Sequence, residues 1–363
     1  MLFDPLSIRS LTLANRIVMA PMTRSRAVDA NTANALMAEY YGQRATAGLI
    51  ITEGTAPSPN GLGYARIPGL FNQAHLQGWK LATSAVHANG GKIFVQLMHT
   101  GRVAHVANLP AGAEVVGPDS IACPGEMYTD SQGMKPHSVP RAMTQADITH
   151  AVSEYAQSAR LALEAGFDGV ELHGANGYLI EQFLNPRVNL RTDSYGQGIE
   201  GRNSLAIEIA RATATAIGAE HVFIRLSPYG VFNGTGEFPE VQSQYLALAK
   251  HLSALRLLYV HLVDHSSMGA PPVPADFKVN LRHGFDGLFI LSGGFNRETA
   301  ESALIEKRAD LVAFGRPFLA NPDLVERLRR GAALNEPDST TFYTPGPKGY
   351  TDYPALTSSR RVV

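Results

Sequence analysis

Residues 287–317, "GLFILSGGFNRETAESALIEKRADLVAFGRP", carry the pattern that decides the fold. An apolar run, "GLFILSGG" (287–294), gives way to "RETAESALIEKR", where apolar residues recur at helical spacing. A second apolar run, "LVAFGRP" (311–317), follows. Runs this continuous in apolar side chains suit parallel strands buried on both faces.

Six further runs share that character: "RIVMAPMT" (16–23), "LIITEGT" (49–55), "KIFVQLMH" (92–99), "GVELHGA" (169–175), "HVFIRLSP" (221–228) and "LYVHLVDH" (258–265). Helical stretches separate them. "TQADITHAVSEYAQSARLALEAG" opens on Thr144 as N-cap and ends at Gly166, and "YLALAKHLSAL" has the same periodicity. "NPDLVERLRRG" reads as a helix with Asn321 as cap, Pro322 at its first position and Gly331 as stop. Eight strands alternating with helices imply a (β/α)8 TIM barrel, α/β in class, with residues 1–363 forming one domain. A doubly wound sheet would show a glycine-rich dinucleotide turn after its first strand, and "APMTRSRA" is not one. "FDPLSIRSLTLANR" reads as an N-terminal hairpin expected to plug the barrel's N-terminal end. Residues 103–143, too long for an ordinary βα loop, are expected to form a capping subdomain over the active face. The tail, 355–363, is expected to be flexible.

Hydrophobic residues make up 45% and charged residues 17% of the 363, and the formal net charge is -1, which points neither to nucleic acid nor to an anionic membrane. No apolar run approaches a membrane span and the start lacks a signal-peptide pattern, so a cytoplasmic protein is expected. One cysteine, Cys123, leaves no internal disulfide and no cysteine-held iron–sulfur cluster; it reads as an incidental loop residue. No cluster of ligand residues suggests a metal. The closed core permits a monomer or a weak homodimer.

Chemistry in such a barrel sits at the C-terminal strand ends. Here these carry Pro21 and Thr23, Glu53 and Gly54, Gln96 and His99, His173 with Asn176, Arg225, Asp264 and His265, Gly293 with Gly294, and Gly315 with Arg316. The last four suit a phosphate: glycines let backbone N–H groups approach, and Arg316 offers a planar fork. The plainer reading is tight loop turns and a surface arginine. No lysine stands at the active end of a strand, which weakens Schiff-base chemistry, and Glu53 and Asp264 are thin support for a metal-dependent lyase. Gln96 can meet the alternating donors and acceptors of a flavin edge, Thr23 can donate beside its reactive centre, and Arg225 is a cation suited to stabilising the reduced form. A buried strand-end network accounts for Gln96 and Arg225 equally well.

"HGANGYLIEQFLNPRVNLRTDSYG" (173–196), with "APMTRSR", "QLMHTGR", "RLSPYGVFNG", "FGRPFLANPDLV" and "GYTDYP", resembles the old yellow enzyme family, FMN-dependent ene-reductases on a (β/α)8 barrel. The resemblance spans residues 2 to 354. It implies tightly bound, non-covalent FMN with Pro21, Met22, Thr23, Gly54, Gln96, His173 and Arg225 around the ring and ribityl parts. Gly293, Gly294, Gly315 and Arg316 would hold the phosphate, and Tyr343 would stand near the flavin. It implies that His173 and Asn176 hydrogen-bond the carbonyl or nitro oxygen of an α,β-unsaturated substrate, and that Tyr178 protonates its α-carbon. NAD(P)H would reduce the flavin and leave, and the alkene would take its place, in ping-pong order. Tyr64, Met98, Phe232 and Met268 are expected to line the substrate pocket. Met98 stands where many relatives carry tryptophan, which predicts a larger or more plastic pocket. "YGQGIEGRN" replaces the family's usual "YGGS", a change expected to touch local packing. Two other functions compete: reduction of nitroaromatics or nitrate esters in the same site, and a flavin-free barrel lyase or isomerase acting on a phosphorylated metabolite.

Overall fold

The computed structural model describes residues 1–9 and 11–356. The eight apolar runs are eight strands: β1 (Ile17–Met19), β2 (Leu49–Thr55), β3 (Ile93–Leu97), β4 (Gly169–Gly174), β5 (Val222–Leu226), β6 (Tyr259–Val263), β7 (Leu288–Ser292) and β8 (Leu311–Phe314). Every neighbouring pair is parallel, and β8 closes onto β1. Around them stand α1 (Ala35–Gln43), α2 (Gln73–Ala88), α3 (Gln145–Glu164), α4 (Leu179–Leu184), α5 (Gly198–Ile217), α6 (Val241–Ala254), α7 (Ala275–His283), α8 (Arg297–Ile305), α9 (Arg316–Ala320) and α10 (Leu324–Arg330).

The period of two along each strand sorts the side chains into two cores. Val95, Leu97, Val170, Leu172, Val222, Ile224, Val260 and Leu262 face the helices. Phe94, Phe223 and Tyr259 face the barrel axis, where Phe94 stacks on Phe223 at 4.5 Å and Phe223 on Tyr259 at 4.4 Å. Gly169 is the inward residue of β4 at this level, and a Cβ there would stand 2.4 Å from Phe223. The N-terminal hairpin, Leu6–Ile8 against Leu11–Leu13, places Leu13 in the same cluster and packs Leu6, Ile8 and Leu11 beneath it. It plugs the barrel as expected, because three more apolar side chains leave water there.

Thr144 caps α3 in a capping box with Asp147, and Gly166 takes φ +90° just beyond its end. The cap expected at Asn321 is displaced. Asn321 ends α9, where its amide bonds the carbonyls of Pro317 and Asn335, while Asp323 precedes α10. Pro322 therefore lies outside both helices; Gly331 does end α10, in the left-handed region. The stretch "YGQGIEGRN" packs locally, with Gln197 preceding α5 and its amide bonding the carbonyl of Thr192. Within 103–143, Val116–Gly117 pairs with Arg141–Ala142, and Glu126–Thr129 forms an antiparallel hairpin with Gly133–Pro136. The expected flexible tail lies largely outside the described residues. None of the described helices is long and apolar enough to cross a membrane.

Candidate active site

Two positions past the aromatic layer, the same strands turn polar. Gln96 on β3 pairs in register with Glu171 on β4, and Arg225 on β5 pairs with both His173 and His261. Gln96 donates its amide to Glu171 at 2.8 Å, and Glu171 also accepts from the Tyr259 hydroxyl and His261 Nδ1, each at 2.9 Å. Glu171 is wholly buried. Burial opposes its charge, but His261, Arg225 and the Gln96 amide together outweigh it and hold the carboxyl below its usual range. This network lies just below the cavity floor and orients the Gln96 amide.

Above that floor lies a cavity of about 980 Å³ whose walls include Pro21, Thr23, Gly54, Gln96, His173, Asn176, Tyr178 and Arg225. A second cavity, about 610 Å³, shares Pro21, Thr23, Asn176, Tyr178 and Arg225 and adds Met22, Gly293, Gly294, Gly315 and Arg316. The cofactor candidates thus form one continuous wall running from β2 and β3 to β7 and β8. Tyr64 and Tyr343 border both cavities, and Met98 the first. Phe232 and Met268 stand elsewhere than on the Met98 side, since both line the second cavity.

His173 is 3% exposed. Its Nδ1 accepts the N–H of Ala175 at 3.3 Å, which places the ring proton on Nε2. Burial, reinforced by Arg225, drives its pKa well below the ordinary histidine range, so the ring is a neutral donor at physiological pH. Asn176 has φ +59° in a tight turn, with its N–H on Ser227 Oγ at 2.8 Å and its carbonyl on Asn233 Nδ2 at 2.7 Å. Its buried Oδ1 has no partner among the described residues. Tyr178 lies edge-on to His173 with ring centroids 4.8 Å apart, and its hydroxyl is 3.1 Å from that of Tyr64. Burial pushes Tyr178 up to about 12, so it stays protonated at neutral pH.

Several groups meet the demands of a flavin nucleotide. Arg225 is 6% exposed with its Nε buried and unpartnered, a cation kept in reserve. Gly293, at φ +133°, lies so close to Asp264 that a Cβ would stand 2.0 Å from its carbonyl oxygen. Gly294 has φ +66°, and a Cβ on Gly315 would meet only the Met22 sulfur, at 3.8 Å, so the backbone is bare where a phosphate would sit. Arg316 is exposed beside them. A β-bulge between Ile51 and Gly54 sets Gly54 opposite Gln96, with Met98 packed against it: a Cβ on Gly54 would lie 2.4 Å from the Met98 sulfur.

The carboxylates weighed as metal ligands orient neighbours. Asp264 pairs with Lys278 at 2.6 Å, and Glu53 accepts from the Arg24 N–H and the Tyr41 hydroxyl. His99 accepts the Gly101 N–H, and His265 stands edge-on to Phe232 in the second cavity. Cys123 is buried against the carbonyl of Pro124.

Sequence reasoning missed the supports. Glu171 and His261 hide inside apolar-looking strands, and Glu181, Ser227 and Asn233 hold the turn from elsewhere in the chain. Arg24 and Arg26 fasten the segment bearing Tyr343 by donating to the carbonyls of Thr341, Phe342 and Gly349. Met127, Tyr128 and Met134 of the capping hairpin wall the first cavity, as the expected position of the insertion requires.

A family model described as NADH:flavin oxidoreductase / NADH oxidase matches residues 1–335. A chanoclavine-I aldehyde reductase of Penicillium roqueforti is 42% identical over 97% of this chain and 95% of its own length. A probable flavin mononucleotide-dependent alkene reductase of Leishmania infantum is 40% identical over 98% and 97%. Among solved structures, morphinone reductase in complex with tetrahydroNAD superposes with a TM-score of 0.94 at 42% identity, covering 100% of this chain and 99% of that one. The old yellow enzyme homologue of Zymomonas mobilis gives 0.94 at 39%, covering 98% and 99%.

Proposed function

Because the chain belongs to the old yellow enzyme family of FMN-dependent NAD(P)H oxidoreductases, we propose that it reduces alkenes conjugated to an electron-withdrawing oxygen: enones, enals, maleimides and nitroalkenes. The observation that carries this reading is the convergence of three groups on one cavity. His173, whose Nδ1 is taken up by the Ala175 N–H so that Nε2 carries the proton, and the Asn176 side-chain amide line the same cavity as Tyr178.

Gln96 and Arg225 would hold the ring of FMN, with Pro21, Met22, Thr23 and Gly54 at its sides; Gly293, Gly294, Gly315 and Arg316 would hold its phosphate. When bound, FMN supplies a carrier that takes hydride from NAD(P)H and passes it to the β-carbon of the alkene. His173 and Asn176 donate two hydrogen bonds to the substrate oxygen, which draws electron density from the alkene and stabilises the negative charge that develops there. Tyr178 keeps its proton on the hydroxyl until the α-carbon becomes basic, then delivers it. Tyr64 orients that hydroxyl. A nitro group offers the same acceptor oxygens to the same pair, so nitro compounds fall within this reading. The flavin-free lyase does not survive the family match.

The test is an anaerobic absorbance experiment in one cuvette. The purified protein should show an oxidised-flavin spectrum, bleach with NADPH and recolour on addition of 2-cyclohexenone. Bleaching without recolouring by any activated alkene would refute the proposed substrate class.

A further inference from the structure

We propose that Glu181, which touches neither cofactor wall nor substrate cavity, is a positioning residue that sets the stance of the Asn176–Tyr178 turn. The inference rests on the alkene-reductase reading above.

Glu181 lies on α4, three residues after Tyr178, and is 1% exposed. Its Oε2 accepts the Gly177 N–H at 2.5 Å, and its Oε1 accepts the hydroxyls of Ser227 at 2.8 Å and Tyr245 at 3.3 Å. Ser227 in turn accepts the N–H of Asn176. One carboxylate therefore holds two consecutive peptide N–H groups of the turn, directly at Gly177 and through Ser227 at Asn176. Both residues are in the left-handed region, at φ +59° and +76°, a conformation that surrounding contacts must enforce at Asn176. Gly177 has no freedom to carry a side chain, since a Cβ would stand 2.6 Å from the Phe232 carbonyl oxygen. Its own carbonyl is held from the other side by the Gln182 amide at 2.8 Å.

The chemistry of the shell asks for a carboxylate. Three donors converge on two acceptor oxygens, whereas an amide would turn an NH2 toward a donor. Tyr245 on α6 and Arg225 on β5 are the titratable and charged groups that act on Glu181; the turn and Ser227 present neutral donors. Burial raises the Glu181 carboxyl to about 7. A protonated carboxyl must itself donate, and the Ser227 or Tyr245 hydroxyl accepts that proton only by turning its own away, so the charge-assisted hold on the turn weakens as pH falls through that value. His173 titrates far below it and Tyr178 far above. Glu53 is also raised to about 7, but its partners are Tyr41 and the Arg24 backbone, and Glu181→Gln leaves it in place.

The experiment is single-turnover reoxidation of the dithionite-reduced holoenzyme by 2-cyclohexenone, followed from about pH 5.5 to 9. Glu181→Gln should bind FMN as the parent does, reoxidise about 10- to 100-fold more slowly, and lose the fall in rate that the parent shows below about pH 7. In an Asn176→Ala background the same substitution should cost much less, because the group it places is gone. A rate within about twofold of the parent with the acid limb retained, or an equal loss in both backgrounds, would overturn the proposal. Should Glu181→Gln fail to fold, Ser227→Ala cuts the link to Asn176 while leaving the carboxylate. It should slow reoxidation in the same direction, and an unchanged rate would overturn the proposal equally. A parent enzyme that no activated alkene reoxidises would sink the alkene-reductase reading itself.

Discussion

At the closed end of the barrel, the inward residues of β3, β5 and β6 are Phe94, Phe223 and Tyr259; two positions along the same strands they are Gln96, Arg225 and His261. The lower layer is sealed by the N-terminal hairpin, and its rings stack within 4.5 Å. The upper layer leaves atoms unpaired: Arg225 Nε, His261 Nε2 and, above them, Asn176 Oδ1 are buried without partners among the described residues. The lower layer has almost no polar atom to satisfy, whereas the upper layer carries polar atoms that a ligand can meet. Tyr259 joins the two, with its ring in the stack and its hydroxyl on Glu171.

The sharpest division between the layers would come from Tyr178→Phe. Alkene reduction should slow by about 10² to 10⁴, with flavin reduction by NAD(P)H and thermal stability nearly unchanged; stopped-flow on the two half-reactions checks this, and equal slowing of both would refute the proton-donor role. Phe223→Ala should do the reverse, costing about 3–5 kcal/mol in chemical denaturation while flavin in the folded fraction keeps its spectrum. A variant at position 223 that alters catalysis without loss of stability would break the comparison. Arg316→Ala, at the phosphate end, should weaken FMN by about tenfold or more while leaving riboflavin affinity alone; fluorescence titration with both ligands separates the two. Smallest is Met98→Trp, which should shift the ranking of bulky against slim enones by about tenfold toward the slim. An unchanged ranking would remove Met98 as the determinant of pocket width.

Legibility differed between the layers for a physical reason. The stretch from His173 to Tyr178 could be read because three polar side chains follow a buried strand within six residues, and the family pattern is dense there. Glu171 could not be set apart from its strand, because its partners Gln96, Tyr259 and His261 come from two other strands and meet it only when the barrel closes. Asn321 misled because Asn-Pro before an apolar run has the form of a helix start, yet its amide is drawn to Pro317 and Asn335 instead.

The sequence by itself determined the eight strands, their alternation with helices, the plugging hairpin and the place of the polar residues at the strand ends. Those follow from local periodicity and from apolar runs long enough to be buried on both faces. Only the tertiary structure decided which nitrogen of His173 carries the proton, that Met98 lies against Gly54 across a bulge, that Arg24 and Arg26 fasten the segment bearing Tyr343, and that Glu181 grips the Asn176–Tyr178 turn. Each depends on groups far apart in sequence brought within hydrogen-bonding reach, and distances of that kind exist only once the barrel has closed.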